Sequence, residues 1–198
     1  KGAFVLAFCA RLEECKGHRW FFLALCELLR QNRECVALLI GDGSLRQPLA
    51  SLCERLGIAD NVIFIGFVSD VSPYMNIADV NINCSVGTET SSLALSEGMS
   101  LGLPAVVSDY GGNPYMIRHG VNGFVCKCND WMEMARHISG LMDDRALYSA
   151  MSQNARKRFE RELNAEQMAQ KTNRLYDALW ERHKAKGQRS SIFEDIVK

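Results

Sequence analysis

The sequence contains no apolar run approaching the roughly 20 residues that a membrane-spanning helix requires, and it does not open with a signal-peptide pattern. It also has no net charge, because 23 basic side chains balance 23 acidic ones. Nothing in its bulk charge would attract nucleic acid or an anionic membrane. We therefore expect a soluble, cytoplasmic protein without a transmembrane segment and without nucleic acid as a partner.

Residues that could hold a metal or form a covalent intermediate are scattered. No Asp-x-Asp element is present, and Cys126 and Cys128 have no second Cys or His pair at the spacing of zinc ligands. The other cysteines lie mostly in apolar runs, which favours buried free thiols over a disulfide framework. We interpret four histidines as surface or packing residues: His18, His119, His137 and His183. The prediction is a site with no metal and no cofactor.

Short apolar runs alternate with helical patterns, which is typical of an α/β fold with an open parallel sheet, a Rossmann-like doubly wound arrangement. The predicted strands are Ala3–Cys9, Val36–Ile40, Val62–Ile65, Val80–Asn83, Pro104–Val107 and Gly123–Val125. The predicted helices are Trp20–Leu29, Leu45–Leu56, Val71–Ile77, one that opens at Thr90 and ends at Gly102, Met132–Met142, Ala146–Phe159 and Ala165–Trp180. We expect residues 1–183 to form one nucleotide-sugar donor-binding domain with C-terminal helices, and residues 184–198 to form a loosely ordered tail.

Two glutamates separated by seven residues indicate a sugar-nucleotide site. Glu89 lies in a polar turn after the strand Val80–Asn83, and Glu97 lies two turns into the following helix. Apolar residues surround the axis of that helix, so we expect the helix to be buried on most sides and Glu97 to be buried with it. A buried carboxylate needs a hydroxyl-rich ligand or a basic neighbour.

In such a sheet the ligand lies at the carboxyl ends of the strands, where helix N-termini point into the crevice. The loop after the first strand carries Arg11 and Lys16, followed by Gly17, and two cations there could clamp a diphosphate. They could equally be solvated surface charges. Ser91 and Ser92 could be ordinary N-cap residues, or they could also offer N–H groups to a phosphate.

The turn Gly41-Asp42-Gly43 contains two glycines of a dinucleotide-binding fingerprint. However, Arg46 stands where the third glycine would be, and the turn follows the second strand rather than the first. An NAD-binding protein is therefore a weaker interpretation.

Six motifs in register carry a resemblance to a known family. They are Arg11…Lys16-Gly17, Gly41-Asp42-Gly43, Phe64-Ile65-Gly66-Phe67, Glu89…Glu97, Gly102-Leu103-Pro104 and Gly111-Gly112-Asn113-Pro114. In order and spacing, over residues 3 to about 180, the chain resembles the C-terminal, donor-binding domain of a family 4 glycosyltransferase of the GT-B fold. The resemblance implies transfer of a hexose, with retention, from a nucleotide-diphosphate sugar to a glycan or lipid-linked acceptor in polysaccharide biosynthesis.

The resemblance also implies roles at the phosphate end of the ligand. Arg11 and Lys16 would neutralise the diphosphate leaving group and so take part in catalysis. Backbone N–H groups at Ser91, Ser92 and Leu93 would bind the distal phosphate.

At the other positions, the resemblance assigns the ribose hydroxyls to Glu97 and the base pocket to Phe67 and Val68. Glu89 would contact the donor sugar or the face of the reaction and is the third expected catalytic residue. One position departs from the family pattern, because Tyr115 stands where the Gly-Gly loop usually continues to a Glu.

By the same resemblance, an N-terminal domain that binds the acceptor should precede this chain in its parent protein, and any peripheral contact with a membrane is expected through that domain. The isolated chain should then bind donor weakly without transferring sugar. Two other interpretations stay open, a nucleotide-sugar-binding module without catalytic duty and a GT-B epimerase.

Overall fold

The computed structural model describes the backbone of residues 2–196 and the side chains of residues 2–184. Within that range six parallel strands form one sheet in the order β3-β2-β1-β4-β5-β6. The strands are β1 Phe4–Cys9, β2 Cys35–Ile40, β3 Val62–Gly66, β4 Val80–Asn83, β5 Ala105–Ser108 and β6 Gly123–Cys126. The predicted open parallel sheet of Rossmann-like topology is confirmed.

Helices connect the strands and follow the last one. They are α1 His18–Arg30, α2 Arg46–Leu56, α3 Ser72–Asn76, α4 Leu93–Ser100, α5 Asn113–Met116, α6 Trp131–Asp143, α7 Arg145–Arg158 and α8 Ala165–Ile196. Helix α5 was not predicted, because four residues are too few to show a helical period. Among the helices of residues 2–196, none combines the length and apolar character needed to cross a membrane.

The central strand β1 is covered on both faces, which explains its continuous apolar sequence. Leu6 and Phe8 belong to a core cluster that includes buried residues of α1 and α6. Ala7, between them, belongs to a second cluster with Met75 of α3 and Leu103. Side chains alternate across a strand, so one apolar run supplies both layers.

The chain divides into two compact units, residues 1–159 and 160–198. The second unit contains most of the π-helical segment Phe159–Leu163 and all of α8, in which the Trp180 and His183 rings stack with centroids 6.1 Å apart. Helix α8 continues past the predicted end at Trp180 to Ile196. Residues 197 and 198 and the side chains from 185 onward lie outside the described residues, so the loosely ordered tail and the domain boundary at 183 stay predictions.

Candidate functional site

Strands β1 and β4 are neighbours at the centre of the sheet. After β1 the chain adds strands on one side of the sheet, and after β4 it adds them on the other side. The crevice of such a sheet lies between these two strands. The loop after β1 and the loop after β4 touch at this point. Gly17 has φ +71°, and a Cβ on it would lie 2.2 Å from the carbonyl oxygen of Cys84. Only glycine allows this approach and this backbone conformation.

Glu89 is the centre of the polar contacts in the crevice. Its Oε2 accepts hydrogen bonds from Lys16 Nζ at 3.0 Å, from Ser85 Oγ at 2.9 Å and from Asn83 Nδ2 at 3.2 Å. The Lys16 and Glu89 side chains are only 12% and 10% exposed. Within the described residues, no hydrogen bond reaches Oε1. One carboxylate oxygen is therefore fixed by the protein, and the other has no hydrogen bond from the described residues.

The surroundings of Glu89 favour its ionised form. Burial works against ionisation, but hydrogen bonds from Lys16, Asn83 and Ser85, together with the charge of Lys16, outweigh it, so that the pKa of Glu89 lies below its ordinary value. At neutral pH this carboxylate accepts hydrogen bonds and stabilises positive charge.

The two cations predicted to act as a pair have different acidic partners. Lys16 is held inside the crevice by Glu89, whereas the Arg11 side chain is 68% exposed and pairs with Glu13 at 2.7 Å. Arg11 follows β1 directly and its contact is local, so its placement in the crevice stays a prediction.

Helix α4 begins at Leu93, three residues later than predicted, with Ser92 as its N-cap. The Ser92 Oγ accepts a hydrogen bond from the N–H of Leu95 at 3.3 Å. Thr90 and Ser91 lie in the turn that connects Glu89 to the helix and are exposed. The first N–H groups of α4 therefore lie next to the turn that carries Glu89, as an anion site would require.

The expectation that Glu97 is buried with its helix was wrong, because its side chain is exposed. Helix α4 buries Leu95, Gly98 and Met99 and half-buries three other residues, while Leu93 is 77% and Leu101 38% exposed. Glu97 shares the exposed side, just over one turn into the helix rather than two. Because an apolar residue on a short helix is not always a core residue, composition around the axis overstated the burial. No basic partner of Glu97 is found among the described side chains.

Glu97 borders a cavity of about 130 Å³ that Asp70, from the loop after β3, also lines. Although Glu97 is exposed overall, partial desolvation beside this cavity raises its pKa, and the like charge of Asp70 adds to the rise. The pKa of Cys9, at the end of β1, is raised to about 11, mainly by burial and in addition by the negative charge of Glu97. Two carboxylates without a cation suit a ligand that donates hydrogen bonds from neighbouring hydroxyls. Phe67, 81% exposed, and the half-buried Val68 precede Asp70 in the same loop.

The Gly-Gly loop after β5 packs on the turn that carries Glu89. The N–H of Gly112 donates to the carbonyl of Glu89 at 3.0 Å. A Cβ on Gly111 would lie 1.8 Å from that carbonyl oxygen, and one on Gly112 would lie 1.7 Å from the carbonyl oxygen of Thr90. Tyr115, three residues after Gly112, is 66% exposed. The loop thus fixes the backbone of Glu89.

Sequence reasoning missed four polar residues that connect to Glu89: Asn83, Ser85, Ser108 and Asn113. All four are buried, and each is 7% exposed or less. The signal was present, since a polar residue that ends an otherwise apolar strand needs a hydrogen-bond partner.

A separate groove of about 690 Å³ lies between α1, α2 and the loop after β1, and the predicted site residues do not line it. His18, at its edge, is only 2% exposed, and its ring stacks on Phe8 with centroids 4.4 Å apart. Neither ring nitrogen has a partner among the described residues. Burial lowers the pKa of His18 to about 4, so the neutral ring acts as a packing residue, in accordance with the sequence interpretation.

The family model described as "Glycosyl transferases group 1" matches residues 1–158 of this chain. One curated relative is the putative glycosyltransferase EpsD of Bacillus subtilis (strain 168), 31% identical over 169 residues, which are 84% of this chain and 44% of EpsD. The chain spans less than half the length of the curated relatives it matches.

Among the solved structures that are similar to this chain are one from Anabaena and one from Francisella tularensis. Anabaena Alr3699/HepE in complex with UDP superposes with a TM-score of 0.83 at 25% identity, over 89% of this chain and 49% of that one, and it is also known in complex with UDP-glucose. The C-terminal domain of a glycosyl transferase group 1 family protein, LpcC from Francisella tularensis, superposes with a TM-score of 0.71 at 21% identity, over 79% of this chain and 84% of that domain. The second likeness concerns the fold alone.

Proposed function

Because the chain belongs to the glycosyl transferases group 1 family, we propose that it is the donor-binding half of a glycosyltransferase and binds a nucleotide-diphosphate sugar in the crevice between β1 and β4. The diphosphate lies between Lys16 and the N-terminus of α4, Glu89 faces the sugar, and Glu97 faces the ribose. Arg11 moves from Glu13 to the diphosphate when the ligand arrives. Phe67 and Val68 contact the base.

The observation that carries the proposal is the buried ion pair between Lys16 and Glu89 at this crevice. A lysine next to a helix N-terminus supplies fixed positive charge for a diphosphate leaving group, and no metal is required for that stabilisation. The carboxylate on the other side of the lysine is ionised, and one of its oxygens has no hydrogen bond from the described residues. Binding of UDP and UDP-glucose by HepE, which shares the fold, supports a nucleotide-sugar ligand.

The same proposal extends to the whole parent protein. We propose that the chain is the C-terminal domain of a retaining, family 4 hexosyltransferase, and that a second domain binds a glycan or lipid-linked acceptor. The likeness to the isolated LpcC domain and the coverage of less than half of the curated relatives support this. A cytoplasmic location is supported by the eight free cysteines.

Calorimetry of the chain with UDP, GDP and NAD tests the proposal. We expect a nucleoside diphosphate to bind and NAD not to bind, and UDP-glucose to bind no more weakly than UDP. Preference for NAD would refute the proposed ligand class. A parent protein that binds the donor but contains no second α/β domain would indicate a nucleotide-sugar-binding module instead.

A further inference from the structure

Glu89 is held in place by a short chain of buried amide and hydroxyl side chains. We propose that Asn83 is a positioning residue for Glu89, and that Asn113 acts on Glu89 through Asn83. The inference rests on the proposed function in one respect only, the assignment of Glu89 to the donor sugar. The contacts that carry it involve no ligand.

The orientation of the Asn83 amide follows from a backbone contact. The N–H of Ser85 donates to Asn83 Oδ1 at 3.0 Å. A backbone N–H can only donate, so the amide atom that it meets has to be the oxygen. Nδ2 of Asn83 then faces Glu89 Oε2, at 3.2 Å. Asn83 therefore presents a donor to the carboxylate.

Asn113 adds a second donor to the same oxygen. It is fully buried, and its Nδ2 lies 3.4 Å from Asn83 Oδ1 and 3.2 Å from Ser108 Oγ. The Ser108 hydroxyl donates to the carbonyl of Ser85 at 2.6 Å, so its oxygen is left to accept from Asn113. A flipped Asn113 amide would place oxygen against two acceptors. The orientation of Asn113 is thus fixed, and it in turn holds Asn83.

The two oxygens of the Glu89 carboxylate have different roles in this arrangement: Oε2 is held by the protein, and Oε1 is left for the ligand. Lys16, Asn83 and Ser85 all donate to Oε2, and within the described residues Oε1 receives no hydrogen bond. When Lys16 turns towards a phosphate, Asn83 and Ser85 still hold Oε2. Glu89 then keeps both its charge and the direction of Oε1 towards the ligand.

Matched alanine variants on one strand test the role of Asn83. Asn81 is also buried on β4, but its Nδ2 donates to the carbonyl of Ala94 at 2.8 Å rather than to Glu89. The readout is the pH titration of the Glu89 carboxyl carbon by ¹³C NMR, assigned from the signal that disappears in Glu89→Gln. Lys16 is the charged group that faces Glu89, and it is present in every variant.

We expect Asn83→Ala to raise the titration midpoint of Glu89 by about one pH unit, the size that loss of one charge-assisted hydrogen bond gives. Asn113→Ala should raise it by less, and Asn81→Ala should leave it in place. An unchanged midpoint in Asn83→Ala would overturn the inference. If that variant does not fold, Asn113→Ala decides, and a midpoint equal to that of the parent overturns the inference.

Ligand binding gives a second readout that a purely structural role would not move. Asn83→Ala should weaken UDP-glucose binding about 10-fold more than UDP binding, because Glu89 faces the sugar. Equal losses for both ligands would contradict positioning at the sugar. If the parent chain binds neither ligand, the proposed function fails, while the NMR titration still decides whether Asn83 positions Glu89.

Discussion

The ammonium group of Lys16 lies 3.0 Å from Glu89 Oε2, and both side chains are almost out of solvent. The two residues come from loops 73 positions apart in the sequence. A diphosphate that approaches Lys16 therefore meets a cation that already has an anionic partner. When a diphosphate binds, we expect Lys16 to share its hydrogen bonds between the Glu89 carboxylate and the phosphate. Glu89 remains hydrogen-bonded in that state, because Asn83 and Ser85 still donate to it.

The two cations after β1 can be compared by removing each in turn. We expect Lys16→Ala and Arg11→Ala each to weaken UDP binding by about 1.5–3 kcal/mol, the range for hydrogen bonds to charged groups. Only Lys16→Ala should also lower the free energy of unfolding, by about 1–3 kcal/mol, because it removes a donor from a buried carboxylate. Calorimetry with UDP and urea unfolding measure the two effects.

The control for these variants is Arg30→Ala. Arg30, like Arg11, is exposed and pairs with a nearby acid, Glu27, at 2.7 Å, but it lies at the far end of α1. It should leave UDP affinity unchanged. If Arg11→Ala behaves as Arg30→Ala does, Arg11 takes no part in binding the diphosphate.

Gly111 and Gly120 offer a matched test of the contact between the Gly-Gly loop and the turn that carries Glu89. Both have positive φ, +56° and +75°, but only at Gly111 would a Cβ meet the protein, 1.8 Å from the carbonyl oxygen of Glu89. Gly120→Ala should cost about 1 kcal/mol of stability from backbone strain alone. Gly111→Ala should lower the free energy of unfolding by more than Gly120→Ala does, which urea unfolding measures. It should also abolish binding of UDP-glucose, which calorimetry measures. Equal effects of the two variants would show that the contact is unimportant.

Glu97 should distinguish a nucleoside diphosphate from a bare diphosphate. We expect Glu97→Gln to reduce UDP affinity about 10-fold, or about 1.4 kcal/mol, and to leave pyrophosphate affinity unchanged, because only UDP carries a ribose. Calorimetry with both ligands measures the ratio. The ribose assignment is wrong if the two affinities fall together.

The pH dependence of that ratio provides a second test of Glu97. Because partial desolvation and Asp70 raise the pKa of Glu97, the carboxylate becomes protonated at a higher pH than usual, and the UDP preference should fall as the pH falls through that pKa. Asp70→Asn removes the like charge, so the loss should begin at a lower pH. The same dependence in parent and Asp70→Asn would exclude an electrostatic effect of Asp70 on Glu97.

His18 should make the chain sensitive to acid. Its pKa is lowered by burial from 6.5 to about 4, so below about pH 6.5 the unfolded chain binds a proton that the folded chain excludes. Stability is therefore lost as the pH falls from the unfolded pKa towards the folded one. His18→Phe should recover about 3 kcal/mol of that loss at about pH 4 relative to the parent.

Urea unfolding of parent and variant at neutral and acid pH measures the difference, and His183→Phe, at an exposed position of α8, is the control. A stability gap between parent and His18→Phe that does not change with pH would contradict the assignment of His18 as a buried neutral ring.

The sheet was predictable because its strands are the apolar runs, and glycine in the left-handed conformation marks the ends of elements. Gly57, for example, follows α2 with φ +69°, as its position in the sequence indicated. The ends of α4 and α8 were less predictable. Thr90 and Ser91 have the composition of a first helical turn, and only the N-cap contact of Ser92 shows that the helix begins after them.

The site residues that belong to a sequence motif could be predicted. Those that are defined only by a contact in the folded structure could not. The spacing of Glu89 and Lys16 in the sequence gives no information on their distance, although both were singled out by type and position. The support from Asn83 and Asn113 depends on strand register and on the loop after β5, which no local pattern reveals. For Glu97, the apolar composition of α4 predicted burial, but Glu97 lies on the exposed part of the helix together with Leu93.

The direct contacts of Gly17, Gly111 and Gly112 with the backbone of the loop after β4 mean that this loop has its course set by main-chain atoms. The bulky side chains Phe67, Leu93 and Tyr115 are exposed. Substitutions at these three positions are therefore expected to leave the course of this loop unchanged.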